Sequence, residues 1–226
     1  MKARAAVVLC GSGRADGSEI HESVSVLVHL SRLGAEFRCF APDAPQAEIV
    51  NHATGKVTPG QTRNMLVESA RISRGEIAPL SELSEATYDA VIFPGGFGAA
   101  KNLCNFASKG ADCDVLPDVA RVIRAFHDSK KPIGACCIAP VIVARVLGTR
   151  MNGPGCTVTI GTDEKTAAAI GTMGSKHAAR GVTEAFTDTS HLVVTTPAYM
   201  FDATPYQVFE GIGKMVEGVL SQIKVK

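Results

Sequence analysis

No stretch of this sequence stays apolar for the roughly 18 residues that a membrane-spanning helix needs, so no membrane span is expected. An excess of charge of one sign is also missing, with 23 Lys and Arg against 22 Asp and Glu and a formal net charge of +1. That balance leaves neither the basic surplus of a nucleic-acid binder nor an acidic tail. The seven cysteines, at 10, 39, 104, 113, 136, 137 and 156, are odd in number and lack metal-ligand spacing. Free thiols in a reducing compartment are expected, with no metal. The only close pair, Cys136–Cys137, is adjacent, and neighbours in a strand point to opposite faces. The segment Gly11-Ser12-Gly13 lacks the third glycine of a dinucleotide fingerprint, and Glu19 and Glu22 would stand where phosphates belong. A Rossmann cofactor site is therefore rejected. The opening MKARAAVVLCG is too short in its apolar part for a signal peptide and reads as a first buried strand. Repeats, linkers and low-complexity segments are absent. A length of 226 residues, 46% hydrophobic and 20% charged, suits one globular domain over residues 1–226.

What is present is an alternation of strands and helices. Residues 4–9 (RAAVVL) read as a strand, followed by a loop at 10–17 and a helix over 18–33. Ile20, Val24, Leu27, Val28 and Leu33 form its 3.6-residue apolar stripe, with Asp16 or Ser18 as cap and Gly34 as terminator. Glu19 complements the dipole of this helix. Glu22 falls where the helix turns inward, as a buried carboxylate, and His21 reads as a partner or surface residue. A strand at 36–40 completes a β-α-β unit, which implies a parallel sheet with a right-handed crossover. Residues 41–61 read as loop and 64–74 as a helix. A strand at 88–93 runs into PGGFG at 94–98, and a connecting segment at 99–114 forms a wall of the site. A helix over 117–129 turns Val119, Val122, Ile123 and Phe126 inward and leaves His127 at its solvent edge. Strands at 132–136, 157–160 and 191–196 alternate with helices at 140–147, about 166–173 and 204–223. The pattern predicts a three-layer α/β/α sandwich with a mostly parallel central sheet.

The chain is organised around residues 131–140, KPIGACCIAP. A buried strand there meets a helix start marked by Pro140, whose missing N–H is unneeded at the first helical position. Cys137 sits at the junction, where a sharp elbow places a nucleophile, and Ala135 and Ala139 are small enough for the turn. Helix amides aimed at the sulfur would lower its pKa. An inert core thiol is the other reading of these residues alone. Gly95 and Gly96, at the carboxyl end of the strand at 88–93, either form a tight turn or bring backbone amides close to a ligand. Ligands of open α/β sheets bind at this end of the strands.

Blocks spread along the chain resemble the DJ-one/PfpI superfamily, and within it the ES-one/ElbB group. They are DGSEIHE (16–22), FAPD (40–43), TRN (62–64), ESARISRGEI (68–77), PGGFGAAKNL (94–103), KPIGACCIAP (131–140), IGTD (160–163) and VVTTPAYM (193–200). The resemblance implies a flavodoxin-like, class I glutamine amidotransferase-like fold. It places Cys137 on the elbow nucleophile, Glu22 on the acidic proton donor and acceptor, and Gly96 and Ile138 on the oxyanion-hole amides. Gly95, Asn102, Thr162 and Asp163 are candidates to line the pocket. The late His-x-Glu of the amidotransferases is missing, and Ile138 stands where many relatives carry a His. A Cys–Glu pair without a fixed histidine remains, so neither glutaminase nor protease activity is implied.

What the resemblance implies for function is a cofactor-independent glyoxalase III-like lyase (a hydro-lyase) acting on glyoxal or methylglyoxal. Two alternatives stay open: a thiol redox sensor or protective protein, and a catalytically weak scaffold linked to isoprenoid metabolism. The implied partners are a small aldehyde and a second copy of the chain, with no nucleic acid, membrane, cofactor or metal. The implied compartment is the cytoplasm, or the mitochondrion where a transit peptide has been removed.

Overall fold

The computed structural model describes residues 2–224. In chain order, Arg4–Val8 (β1), Ile20–Arg32 (α1) and Glu36–Ala41 (β2) form the first β-α-β unit. Val50–Asn51 (β3), Lys56–Val57 (β4), Met65–Ser69 (α2) and Ile77–Pro79 (β5) lead to the strand Ala90–Phe93 (β6). The short helices Phe97–Lys101 (α3) and Phe106–Lys109 (α4) precede Pro117–Asp128 (α5), the strand Ile133–Cys136 (β7) and Pro140–Leu147 (α6). Thr157–Val158 (β8), Glu164–Thr172 (α7), Lys176–His177 (β9), Phe186–Asp188 (β10), Val193–Thr196 (β11) and Pro205–Ser221 (α8) complete the fold. Seven strands form the main sheet in the order β10-β11-β7-β6-β1-β2-β5, parallel throughout except for β10 against β11. Every residue of β6, β7 and β11 is buried, as a parallel sheet covered on both faces requires. One apolar cluster joins the sheet to α5, α6 and α7, and a second joins its other face to α1 and α8. The fold is the three-layer sandwich with a mostly parallel sheet that the alternation predicts. No helix among the described residues is long and apolar enough to cross a membrane.

The orientation of α1 differs from the expected one. Of its apolar stripe, Ile20, Val24, Val28 and Leu33 are 45%, 43%, 44% and 39% exposed, and only Leu27 packs partly against the core. The inward face carries Glu22, Ser23, Val26, His29 and Leu30. Polar side chains can turn inward here because each finds a partner; His29 Nε2 lies 2.9 Å from the Phe209 carbonyl oxygen. The cap is Glu19, whose carboxylate accepts from Glu22 N–H at 2.7 Å. Asp16 instead accepts from Val50 N–H, and Ser18 Oγ accepts from Cys10 N–H, so both tie the loop at 10–17 in place. The helix does end at Leu33, before Gly34 in the left-handed region.

Other boundaries shift for local reasons. The presumed loop at 41–61 contains the β3–β4 hairpin, turned by Asn51 and Gly55 with no apolar alternation to announce it. The helix expected over 64–74 is only α2, capped by Asn64, and gives way to turns after Ser69. β5 and β10 had no counterpart in the sequence reading. His127 is only 13% exposed at its side chain and stacks on His191 at 5.8 Å, not at a solvent edge.

Candidate active site

β7 ends at Cys136, and Cys137 takes φ +58°, a left-handed conformation that a residue with a Cβ adopts at a cost of about 1–3 kcal/mol. The turn is held by Cys137 N–H, which donates to the Thr196 carbonyl at the end of β11 at 3.0 Å. It swings the Cys137 side chain back, so Cys136 and Cys137 lie in one apolar cluster and both thiols interact with Glu22. Opposite faces, the expectation for neighbours in a strand, fail because Cys137 is already past the strand. Cys137 is 8% exposed, and Glu22 is fully buried.

Glu22 is brought to the thiols by the first turn of α1. Its Oε2 accepts from Gly95 N–H at 3.0 Å and from the Cys136 thiol at 3.7 Å, and its Oε1 accepts from Tyr199 N–H at 3.3 Å. Gly95 has no room for a side chain, because a Cβ there would lie 2.4 Å from Cys137 Cβ and 2.6 Å from Glu22 Oε2. Gly96, at φ +98°, is pressed against the Gly17 carbonyl and the Glu19 amide. The amides of Gly96 and Ile138 act on the Cys137 thiol in the direction that favours its thiolate.

The electrostatics run against one expectation. Burial pushes the Cys137 thiol well above its ordinary value, and the Glu22 charge adds to this, outweighing the Gly96 and Ile138 amides. Burial, then the charge of Glu19, pushes Glu22 up to about 7, opposed by the Tyr199 amide and the two thiols. Carboxyl and thiol therefore compete for one negative charge, and a proton placed on either favours ionisation of the other. Chemically, this is a nucleophile with an adjacent proton carrier.

The remaining candidates are spread more widely. Asn102 is buried, but its amide is spent on the backbone: Nδ2 donates to the Cys10 and Asp16 carbonyls, and Oδ1 accepts from Ala47 N–H. Thr162 and Asp163 are exposed, and Asp163 caps α7 by accepting from Thr166 N–H at 2.7 Å. The structure thus gives Asn102 and Asp163 scaffolding tasks. Tyr199 was missed: its amide holds Glu22, and its hydroxyl lies 2.9 Å from Nδ1 of the largely exposed His21. The available signal was its place just after β11, at the carboxyl end of the sheet. Clefts of about 280 and 370 Å³ lie beside β8–β9 and beside the β3–β4 hairpin, and neither is lined by Cys137 or Glu22. Among the described residues, no group of three or more His, Cys, Asp or Glu is arranged to hold a metal ion.

No family model matches the chain. The chain is 50% identical over 228 residues to the rat "ES1 protein homolog, mitochondrial", covering 97% of this chain and 84% of that protein. It is 50% identical over 227 residues to the human "Glutamine amidotransferase-like class 1 domain-containing protein 3, mitochondrial", covering 96% and 82%. Among solved structures, an isoprenoid biosynthesis protein with an amidotransferase-like domain from Ehrlichia chaffeensis superposes with a TM-score of 0.91 at 35% identity, covering 98% of this chain and 100% of that one. A ThiJ/PfpI domain protein from Brachyspira murdochii shares the fold at a TM-score of 0.59 and 15% identity, covering 99% and 100%.

Proposed function

Because this chain belongs to the ES1 family of amidotransferase-like proteins, whose fold extends to the ThiJ/PfpI proteins, we propose that it is a cofactor-independent glyoxalase-type enzyme for small reactive aldehydes. One observation carries the reading: the fully buried Glu22 carboxyl, raised to about 7, accepts from the Gly95 amide and from the Cys136 thiol, directly beside Cys137. Such a pair suits an electrophile that has no leaving group to protonate. The 8% exposure of Cys137 suits a small one.

In the proposed cycle, Cys137 sulfur adds to the aldehyde carbon of methylglyoxal, and the aldehyde oxygen takes the proton, giving a hemithioacetal. Glu22 then removes the hydrogen from that carbon and returns it to the neighbouring one. The first carbon is oxidised to a thioester and the second is reduced to an alcohol, so no outside oxidant is needed. Water hydrolyses the thioester to lactate and releases the thiol. The Gly96 and Ile138 amides stabilise the oxyanions, each contributing roughly 3 kcal/mol where such donors have been removed in acyl transfer. The test is methylglyoxal loss without glutathione, measured beside Cys137→Ala and Glu22→Gln. Turnover that disappears in both variants supports the enzyme, and background rates in all three proteins overturn it.

A thiol sensor is the second reading, favoured by the two neighbouring thiols on one carboxylate. It requires oxidation of Cys137 by mild peroxide with no aldehyde consumption. The names of the relatives support the mitochondrial alternative for the compartment over the cytoplasmic one.

A further inference from the structure

The wall segment holds thiols that the aldehyde chemistry does not use. Backbone pairing brings Cys104 and Cys113 together: Leu116 N–H donates to Leu103 O at 2.9 Å, Asn105 N–H donates to Asp114 O at 3.1 Å, and Cys104 pairs antiparallel with Val115. Between them the chain folds through α4 and a single 3₁₀ turn, closed by Cys113 N–H on the Gly110 carbonyl. Both side chains lie in the same apolar cluster, 4% and 0% exposed, and the Cys104 thiol donates to the Ala99 carbonyl at 3.3 Å.

Arg145 supplies the second observation. From α6 its Nε donates to the Cys113 carbonyl at 2.8 Å, while its buried Nη1 has no hydrogen-bond partner. A buried guanidinium N–H without an acceptor is costly, and the Arg145 charge acts on both the Cys113 thiol and the Asp114 carboxylate. The two thiols are also unequal. The Cys104 hydrogen bond holds Cys113 below the ordinary thiol value, with help from the Arg145 charge, while Cys104 is pushed up. Cys10, Cys39 and Cys156, by contrast, are each pushed up to about 12 by burial.

We propose that Cys104 and Cys113 are a second thiol site, a dithiol that a hydroperoxide oxidises to an intramolecular disulfide, with Arg145 stabilising Cys113 as the attacking thiolate. Cys113 sulfur attacks the peroxide oxygen; the O–O bond breaks, the alcohol or water leaves, and a sulfenic acid remains. Cys104 sulfur then displaces hydroxide from it, which leaves as water with the Cys104 proton, and the S–S bond forms. The two sulfurs together lose two electrons, and the peroxide gains them.

The test uses the Cys137→Ala protein, so its outcome is separate from the aldehyde reading, with the parent mapped alongside. Hydrogen peroxide is added, free thiols are blocked with N-ethylmaleimide, and unreduced peptides are mapped by mass spectrometry. The expected product is one dithiothreitol-reversible crosslink joining Cys104 to Cys113, with Cys10, Cys39, Cys136 and Cys156 alkylated. Arg145→Met should slow its formation by about tenfold as the thiolate loses its cation, and Arg145→Lys should restore part of the rate. Recovery of Cys104 and Cys113 as alkylated free thiols, at peroxide doses that oxidise Cys137 in the parent, overturns the proposal. An unchanged rate in Arg145→Met overturns the role of the guanidinium.

Discussion

Glu22 is where residue-scale effects concentrate. Its carboxyl, 4.5 in an ordinary setting, is raised to about 7 in the fold, so the folded protein holds a proton that the unfolded chain releases. Its contribution is therefore fully present below about pH 4.5 and is lost as pH rises towards 7, by roughly 3 kcal/mol across the window. Glu22→Gln should remove this slope. Urea midpoints at pH 5 and pH 8 should favour the variant increasingly at the higher pH, and parallel curves would refute the buried-proton account. Gly95→Ala tests the same spot by crowding, since its methyl would meet both Cys137 and Glu22. We expect iodoacetamide labelling of Cys137 to fall sharply, with about 1–3 kcal/mol of lost stability from overpacking. At this scale Cys137 and Glu22 were legible because a cysteine before a helix-starting proline and an acid in a first turn are local signals. Tyr199 was not, because it acts through a backbone amide that any residue type could supply.

Among the elements, glycines inside helices separate packing from propensity. Gly211 of α8 lies where a Cβ would come 2.1 Å from the Val182 carbonyl oxygen, whereas Gly171 of α7 has open space around it. Gly211→Ala should lower the melting temperature, costing about 1–3 kcal/mol. Gly171→Ala should raise it, gaining roughly 0.5–1 kcal/mol from helix propensity. Equal shifts of one sign in a thermal melt would contradict this assignment of close and open faces. Helix positions were largely legible, as with the closing helix read over 204–223 and found as Pro205–Ser221. The face of α1 was not, since the 3.6 period finds an apolar stripe but cannot say that Glu22 and His29 have partners waiting inside. The β5 and β10 edges are three residues each, too short for any alternation to register.

For the whole molecule, the outward stripe of α1 is the feature that bears on assembly. We propose that a second copy of the chain, the partner that the family resemblance implies, covers Ile20, Val24 and Val28 and removes their exposed apolar surface from water. Val24→Glu should then convert a dimer to a monomer in light scattering, whereas an unchanged mass would reject this face. The sandwich itself was legible from alternation alone. Strand order was not, because nothing local in β1 says that β6 and β2 will flank it.

Glu22 and the Tyr199 amide that holds it are 177 residues apart. On a ribosome adding about 5–20 residues per second, the elbow thiols emerge well before the segment that completes their enclosure. The nascent chain thus carries Cys136 and Cys137 uncovered during synthesis, and their protection at that stage falls to the cell.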